Sequence, residues 1–259
     1  MHVVTSRDGT PIAIDRVGNG APIVIVVGAF NERSTGAPLA AALESSFAVY
    51  NFDRRGRGDS GDIAPYEVES ELEDLEAVIA EAGGSAGVFG YSSGGILALL
   101  GAARGLPITK VAVYDLPLVV GPPRWSVDHA AAIEQLVDSG RRGDAVEYFQ
   151  ARIVGIPDDT VLQLRHAPFR PALEAMAQTL VYEAILLGDG SLPADLAASI
   201  QVPALAIAGG ASSPFMRLTA EAIADQAPLG RSLTLDGQTH DLDAVVLGPI
   251  LDEFFGTAS

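Results

Sequence analysis

Cysteine is absent from the 259 residues. Its absence excludes thiol nucleophiles, cysteine-ligated zinc, iron–sulfur clusters and disulfide staples. Basic residues are scarce: 16 stand against 33 acidic ones, for a net charge of −17, and Lys110 is the only lysine. A nucleic-acid binder needs a basic footprint, and none is visible. Long apolar runs are missing too. The longest near the N-terminus, Ile23 to Val27, has the length of a strand and is far too short to span a bilayer. Met1 to Gly9 offers no apolar leader. The expectation is a cytoplasmic protein that meets neither membrane nor nucleic acid and acts on a small molecule. No phosphate loop, dinucleotide fingerprint or metal-ligand spacing appears, so no cofactor and no metal are expected. Gly56-Arg57-Gly58 reads as a turn element, since no helix opens after it. Oligomeric state is not legible.

What is present is the composition of a globular chain, 48% hydrophobic and 19% charged. The length is generous for one domain and short for two, which suggests one core with a sizeable insertion. Pro11 to Val17 and Ile23 to Val27 read as strands, Pro38 to Leu43 as a helix, and Phe47 to Phe52 as a strand ending in a polar, glycine-rich loop that runs to Asp62. Glu67 to Ala82 carries Leu72, Leu75, Val78 and Ile79 at helical spacing, with an acidic outer face. Gly87 to Gly90, Gly94 to Ala103 and Ile108 to Tyr114 continue as strand, helix, strand. This alternation predicts an α/β, doubly wound, mostly parallel sheet.

The alternation stops at Leu116 and resumes near Pro203. Between them lie helical stretches at Ser126 to Val137, Gly143 to Val154, Asp158 to His166 and Pro171 to Leu187. The expected organisation is a core of residues 1–115 and 200–259 with a helical lid, residues 116–199, inserted late in the chain. Strand, helix, strand, helix then follow at Pro203 to Ala208, Met216 to Gln226, Arg231 to Leu235 and Val245 to Phe255.

The pattern G-x-S-x-G, which marks a nucleophilic serine on a strand-to-helix turn, occurs twice. Gly83-Gly84-Ser85-Ala86-Gly87 precedes a strand, in the loop that leaves the acidic helix. Gly90-Tyr91-Ser92-Ser93-Gly94 follows that strand and opens an apolar helix. Context selects Ser92 as nucleophile and leaves Ser85 as loop punctuation, the alternative for Ser92 being a helix cap.

The elbow at Ser92, the strand order, the loop Arg55-Gly56-Arg57-Gly58-Asp59-Ser60 and a late His240 together resemble the α/β-hydrolase superfamily, over nearly the whole chain. The arginine–glycine loop resembles that of its esterase, epoxide hydrolase and dehalogenase branches. The last two carry Asp at the elbow, so the serine implies the esterase-like branch. The resemblance places the general base at His240, after the last strand and last in chain order. His129 and His166 lie in the insertion and His2 at the terminus, where packing or surface roles are expected. The family's usual acid follows the strand after the insertion, yet Ala208 to Phe215 contains no carboxylate. Asp115 ends the strand before the insertion, on the sheet edge that also carries Ser92, and some dehalogenases resemble this arrangement. Its other reading is a turn cap before Pro117. Asp241 is adjacent to the base and poorly placed, and Asp225 sits within a helix.

Such a triad implies an oxyanion hole of backbone N–H groups from Ser93 and Ala29, with Phe30 beside them. Phe30, Tyr91 and Trp125 are candidate substrate contacts. Trp125, Phe149, Phe169 and Tyr182 either line an apolar pocket or pack the insertion onto the core. The expected activity is cofactor-free cleavage of a carboxylic ester or lactone of a small, fairly hydrophobic molecule through an acyl-enzyme. The alternatives are a C–C bond hydrolase, a cyclase or lyase using the same triad, and a non-catalytic ligand-binding relative.

Overall fold

Within the central strands, consecutive residues point to opposite faces, and both faces are apolar. In the segment Ile23 to Val27, Ile23, Ile25 and Val27 enter one core while Val24 and Val26 enter the other, all at most 1% exposed. Burying a Val or Ile side chain contributes roughly 1.5–3 kcal/mol. A strand apolar on both faces is therefore stable only between two helical layers. The computed structural model describes residues 1–256 and shows that arrangement.

Eight strands form one sheet among the described residues, in the order β1-β2-β4-β3-β5-β6-β7-β8. They are β1 (His2–Thr5), β2 (Pro11–Val17), β3 (Ala21–Val26), β4 (Phe47–Phe52), β5 (Ala86–Tyr91), β6 (Ile108–Tyr114), β7 (Ala204–Gly209) and β8 (Gly230–Leu235). β1 and β2 are antiparallel, and every pairing from β4 to β8 is parallel. Helices α1 (Arg33–Leu43) and α10 (Ala244–Gly256) cover one face. Helices α2 (Val68–Glu81), α3 (Ser93–Ala103) and α9 (Pro214–Gln226) cover the other. This is the doubly wound, mostly parallel architecture that the strand–helix alternation predicts. β1, which residue pattern alone leaves unassigned, pairs with β2 at the sheet edge.

Several helices depart from their sequence limits, two of them for a visible reason. α1 begins at Arg33, so Pro38 lies inside it. Its start is set by tertiary contact, because the Arg33 amide donates to Asp53 Oδ1 at 2.7 Å. The stretch Pro171 to Leu187 divides into α7 (Arg170–Ala175) and α8 (Thr179–Leu187), with the buried Thr179 hydroxyl donating to the Met176 carbonyl at the break.

Between β6 and β7 lie α4 (His129–Asp138), α5 (Arg142–Tyr148), a π-helical turn at Phe149–Val154, α6 (Asp158–Leu164), α7 and α8. The two stems of this insertion are tied at its neck. The Val119 amide donates to Gly190, and the Leu192 amide donates to Val119.

Buried charge joins the insertion to the core. The loop after β4 carries Arg54, Arg55 and Arg57, each at most 2% exposed. Arg54 makes a two-pronged ion pair with Glu71 of α2 (2.6 and 2.7 Å), and Arg55 does the same with Asp74 (2.7 and 2.8 Å). Arg54 and Arg57 also converge on Oε1 of Glu183 in α8, at 2.7 and 2.6 Å. The acidic face of α2 is thus only partly an outer face, since Glu71 and Asp74 point inward to neutralise buried guanidiniums. Hydropathy periodicity cannot separate a solvated carboxylate from one buried against arginine.

Candidate active site

The central register decides which side chains can meet. Tyr91 of β5 pairs with Tyr114 of β6, and Tyr114 pairs with Ile207 of β7. The next residues, Ser92 and Asp115, therefore leave the sheet side by side at its C-terminal edge. The Ser92 amide donates to the Tyr114 carbonyl and the Asp115 amide to the Ile207 carbonyl, both at 2.9 Å.

Ser92 sits at φ 54°, ψ −126°, between β5 and α3. Two glycines make that turn possible by close approach. A side chain on Gly90 would meet the Gly95 backbone, and one on Gly94 would meet the carbonyls of Val26 and Val27. Among the described residues, the non-glycine positions with positive φ are Phe30 (60°), Ser92 (54°) and Asp115 (51°). Each such conformation costs on the order of 1–3 kcal/mol and persists only where its surroundings over-determine it. All three border the same site. Ser85 lies exposed in the turn before β5.

His240 follows β8, in the loop before α10. Its Nε2 lies 3.1 Å from Ser92 Oγ, and its Nδ1 lies 3.2 Å from Asp115 Oδ2. The tautomer protonated on Nδ1 satisfies both contacts, donating to Asp115 and accepting from the serine hydroxyl. Asp115 is fully buried. Its carboxylate also accepts from the Gly209 amide at 2.8 Å and from the Ser212 hydroxyl at 2.5 Å. Ser212, in the segment after β7 where the resemblance led an acid to be expected, thus holds the carboxylate that comes from β6. The histidine loop is fixed from beneath: Tyr91 donates its hydroxyl to the His240 carbonyl at 2.7 Å, and Tyr114 donates to the Thr239 carbonyl. Burial, reinforced by nearby Asp115 and Asp241, raises both phenols above their ordinary value, so they remain protonated donors.

Ser92 and His240 open onto a cavity of about 330 Å³. Ala29, Phe30 and Ser93 border it beside the serine, which brings together the backbone segments expected to supply the oxyanion donors. Tyr91 and Trp125 line it as well, as does Phe149, whose ring meets that of Phe30 edge-on at 5.3 Å. Two aromatics named from sequence lie outside its lining. Phe169 is half-exposed. Tyr182 stacks on Tyr66 at 4.1 Å and donates to Asp62. Arg124, Gln150, Glu183, Phe215 and Met216 also line the cavity. Sequence reasoning missed them, and no motif marks them. Among the described residues, no group of three or more His, Asp or Glu side chains is arranged to hold a metal ion. No helix among them is long and apolar enough to cross a membrane.

Residues 23–248 match the profile described as the alpha/beta hydrolase family. The chain belongs to the alpha/beta hydrolase family. It is 49% identical to an alpha/beta hydrolase from Sphaerobacter thermophilus DSM 20745, with 98% of this chain and 100% of that one covered and a TM-score of 0.91. Its fold is also similar to that of a thermophilic esterase from Thermogutta terrifontis, at 19% identity over 97% and 96% of the two chains and a TM-score of 0.77. An enol-lactonase from Burkholderia xenovorans LB400 shares the fold at 24% identity over 98% and 100% of the chains, with a TM-score of 0.73. No curated protein matches the sequence.

Proposed function

We propose that this protein is a serine hydrolase that cleaves a carboxylic ester or lactone of a small, fairly hydrophobic molecule through an acyl-enzyme. One observation carries the reading: the unbroken line from Ser92 Oγ through the two ring nitrogens of His240 to the buried Asp115, at 3.1 and 3.2 Å, opening onto a largely apolar cavity.

The chemistry follows from that line. His240 Nε2 takes the hydroxyl proton as Ser92 Oγ bonds to the substrate carbonyl carbon. The negative charge that gathers on the carbonyl oxygen is met by the backbone N–H groups of Ser93 and Ala29, two residues that border the cavity beside Ser92. When the carbon–oxygen bond breaks, His240 returns the proton to the departing alkoxide. Water then attacks the acyl-serine, giving its proton to His240, and Ser92 leaves with a proton from the same nitrogen. Asp115 remains ionised throughout, holds the tautomer and stabilises the imidazolium.

The insertion, residues 116–199, acts as a lid in this reading, because Trp125, Phe149 and Gln150 wall the cavity above the serine. Such a wall excludes water and selects substrates by shape. A fluorophosphonate probe should label the native protein and not Ser92→Ala. p-Nitrophenyl esters of increasing chain length should be hydrolysed with a preference for short acyl groups. Labelling without turnover of any ester or lactone would move the protein to a different triad reaction. Absence of labelling would refute an activated serine.

A further inference from the structure

Three ionisable side chains line the cavity besides Tyr91: Arg124, Glu183 and His240. Two of them are already matched. Glu183 accepts from Arg54 and Arg57, and His240 lies between Ser92 and Asp115. Arg124 is different. Its guanidinium carbon lies 4.8 Å from the centroid of the Trp125 ring and 4.9 Å from that of Phe215. Among the described residues its guanidinium makes no hydrogen bond and no ion pair. Burial already disfavours its charge. In a chain of net charge −17, this half-buried arginine is left without a carboxylate inside the candidate active site, where it offers an unmatched positive charge to a ligand.

The surroundings hold this guanidinium in place. The amides of Arg124 and Trp125 both donate to the Asp189 carbonyl, at 2.9 and 3.1 Å. Gly190, at φ +76°, leaves the space that the Trp125 ring and the Arg124 stem occupy, because a side chain there would lie 2.5 Å from the ring. Trp125 in turn meets His129 edge-on at 5.2 Å. Phe215 belongs to α9 of the core, so the aromatic pair comes from both sides of the cavity. Aromatic contacts engage the faces of a guanidinium and leave its N–H edge available, and that edge matches a carboxylate with two parallel hydrogen bonds.

We infer that Arg124 is the specificity-determining residue for a carboxylate on the substrate, so that the preferred compounds are small esters or lactones carrying a carboxylate beyond a short apolar spacer. This rests on the reading of the cavity as the substrate site. Phe30, Phe149, Ile153 and Leu187 receive the spacer, and Ser92 meets the ester carbonyl. The protein's overall negative charge does not oppose this at close range, since salt screens exposed charges beyond roughly 8 Å.

Monomethyl glutarate and dimethyl glutarate test the inference, because they share a skeleton and an ester and differ in one carboxylate. Binding is measured by calorimetry on Ser92→Ala, which prevents turnover. The monoester should bind at least about 10-fold more tightly than the diester. Adding Arg124→Met should weaken the monoester by about 10- to 100-fold and leave the diester within about 3-fold. Arg124→Lys should recover part of the preference, because it keeps the charge and loses the planar fork. Equal binding of the two compounds overturns the inference. So does an equal loss for both in Arg124→Met, which would make Arg124 only a packing link between insertion and core. If Arg124→Met does not fold, Arg124→Gln serves in its place, with the same expectations. Turnover of the pair by the native protein is a separate measurement: selective binding without hydrolysis would keep the inference and refute the ester reading.

Discussion

The sheet edge and the insertion above it build opposite halves of one cavity by different means. At the edge, Ser92 and Asp115 follow residues paired in adjacent parallel strands, and their positions are held by ladder hydrogen bonds to Tyr114 and Ile207. The strained backbone of Phe30, Ser92 and Asp115 persists there because the C-terminal ends of β3, β5 and β6 beneath are buried on both faces. The insertion has no sheet. Its α-helices run from six to ten residues, one is continued by a π-helical turn, and Val127, Val154, Leu162 and Phe169 lie on its surface. It is held by its neck, by the Phe30–Phe149 contact and by Glu183 against two arginines of the core. A rigid edge suits chemistry that tolerates little displacement, and a wall of short helices can vary in shape without disturbing it.

Variants on either side of the cavity can break that contrast. The largest effect is expected at the edge: Ser92→Ala should lower kcat by about 10⁴-fold or more while the thermal transition stays near that of the native protein. Asp115→Asn keeps shape and loses charge, so kcat should fall by roughly 10²–10⁴-fold with KM little changed. Full activity in that variant would make the site a Ser–His dyad.

The joint between the regions comes next. Glu183→Gln leaves Arg54 and Arg57 buried with one carboxylate, Glu71, between them. Urea unfolding should show a loss of about 3–5 kcal/mol. A loss below 1 kcal/mol would mean that the insertion does not rely on this cluster.

A smaller effect belongs to the insertion alone. His129 is buried, with Nδ1 2.9 Å from the Tyr148 hydroxyl. Burial holds its imidazole below the ordinary value of 6.5. The unfolded chain then binds a proton that the folded chain resists, so this contribution is complete above pH 6.5 and is lost as pH falls below it. His129→Gln should flatten the fall in urea midpoint between about pH 7 and about pH 5. An unchanged slope would assign it to other groups. The smallest effect is at Ser85, where Ser85→Ala should change neither kcat nor stability. Loss of activity there would reverse the choice between the two G-x-S-x-G matches.

Legibility followed the same division. Strands β3 to β8 and their helices were readable because apolar β-branched runs alternating with helical spacing leave few other solutions. The strand-to-helix turn at Ser92 is legible in the glycines two residues away on each side, and the place of His240 follows from the resemblance. Asp115 was reached by elimination, and the structure brings its carboxylate to His240 Nδ1. Arg124, Gln150 and Glu183 left no trace in the pattern, since each is an ordinary polar residue in a helical or loop segment.

The sequence by itself determined the alternation of strand and helix, the place of the insertion between β6 and β7, and the residue types able to form a nucleophile and its base. Those depend on local spacing and on the order of elements along the chain. Tertiary structure alone decided that Tyr91 and Tyr114 pair, so that Ser92 and Asp115 emerge together, and that Ser212 donates to the carboxylate rather than supplying one. It alone turned Glu71 and Asp74 inward onto arginines and left Arg124 without an acidic partner at the cavity wall. The physical reason is distance: hydrophobic periodicity reports which face of an element is buried, whereas a charge is matched or unmatched by groups that can lie more than a hundred residues away in the chain, as Glu183 does from Arg54.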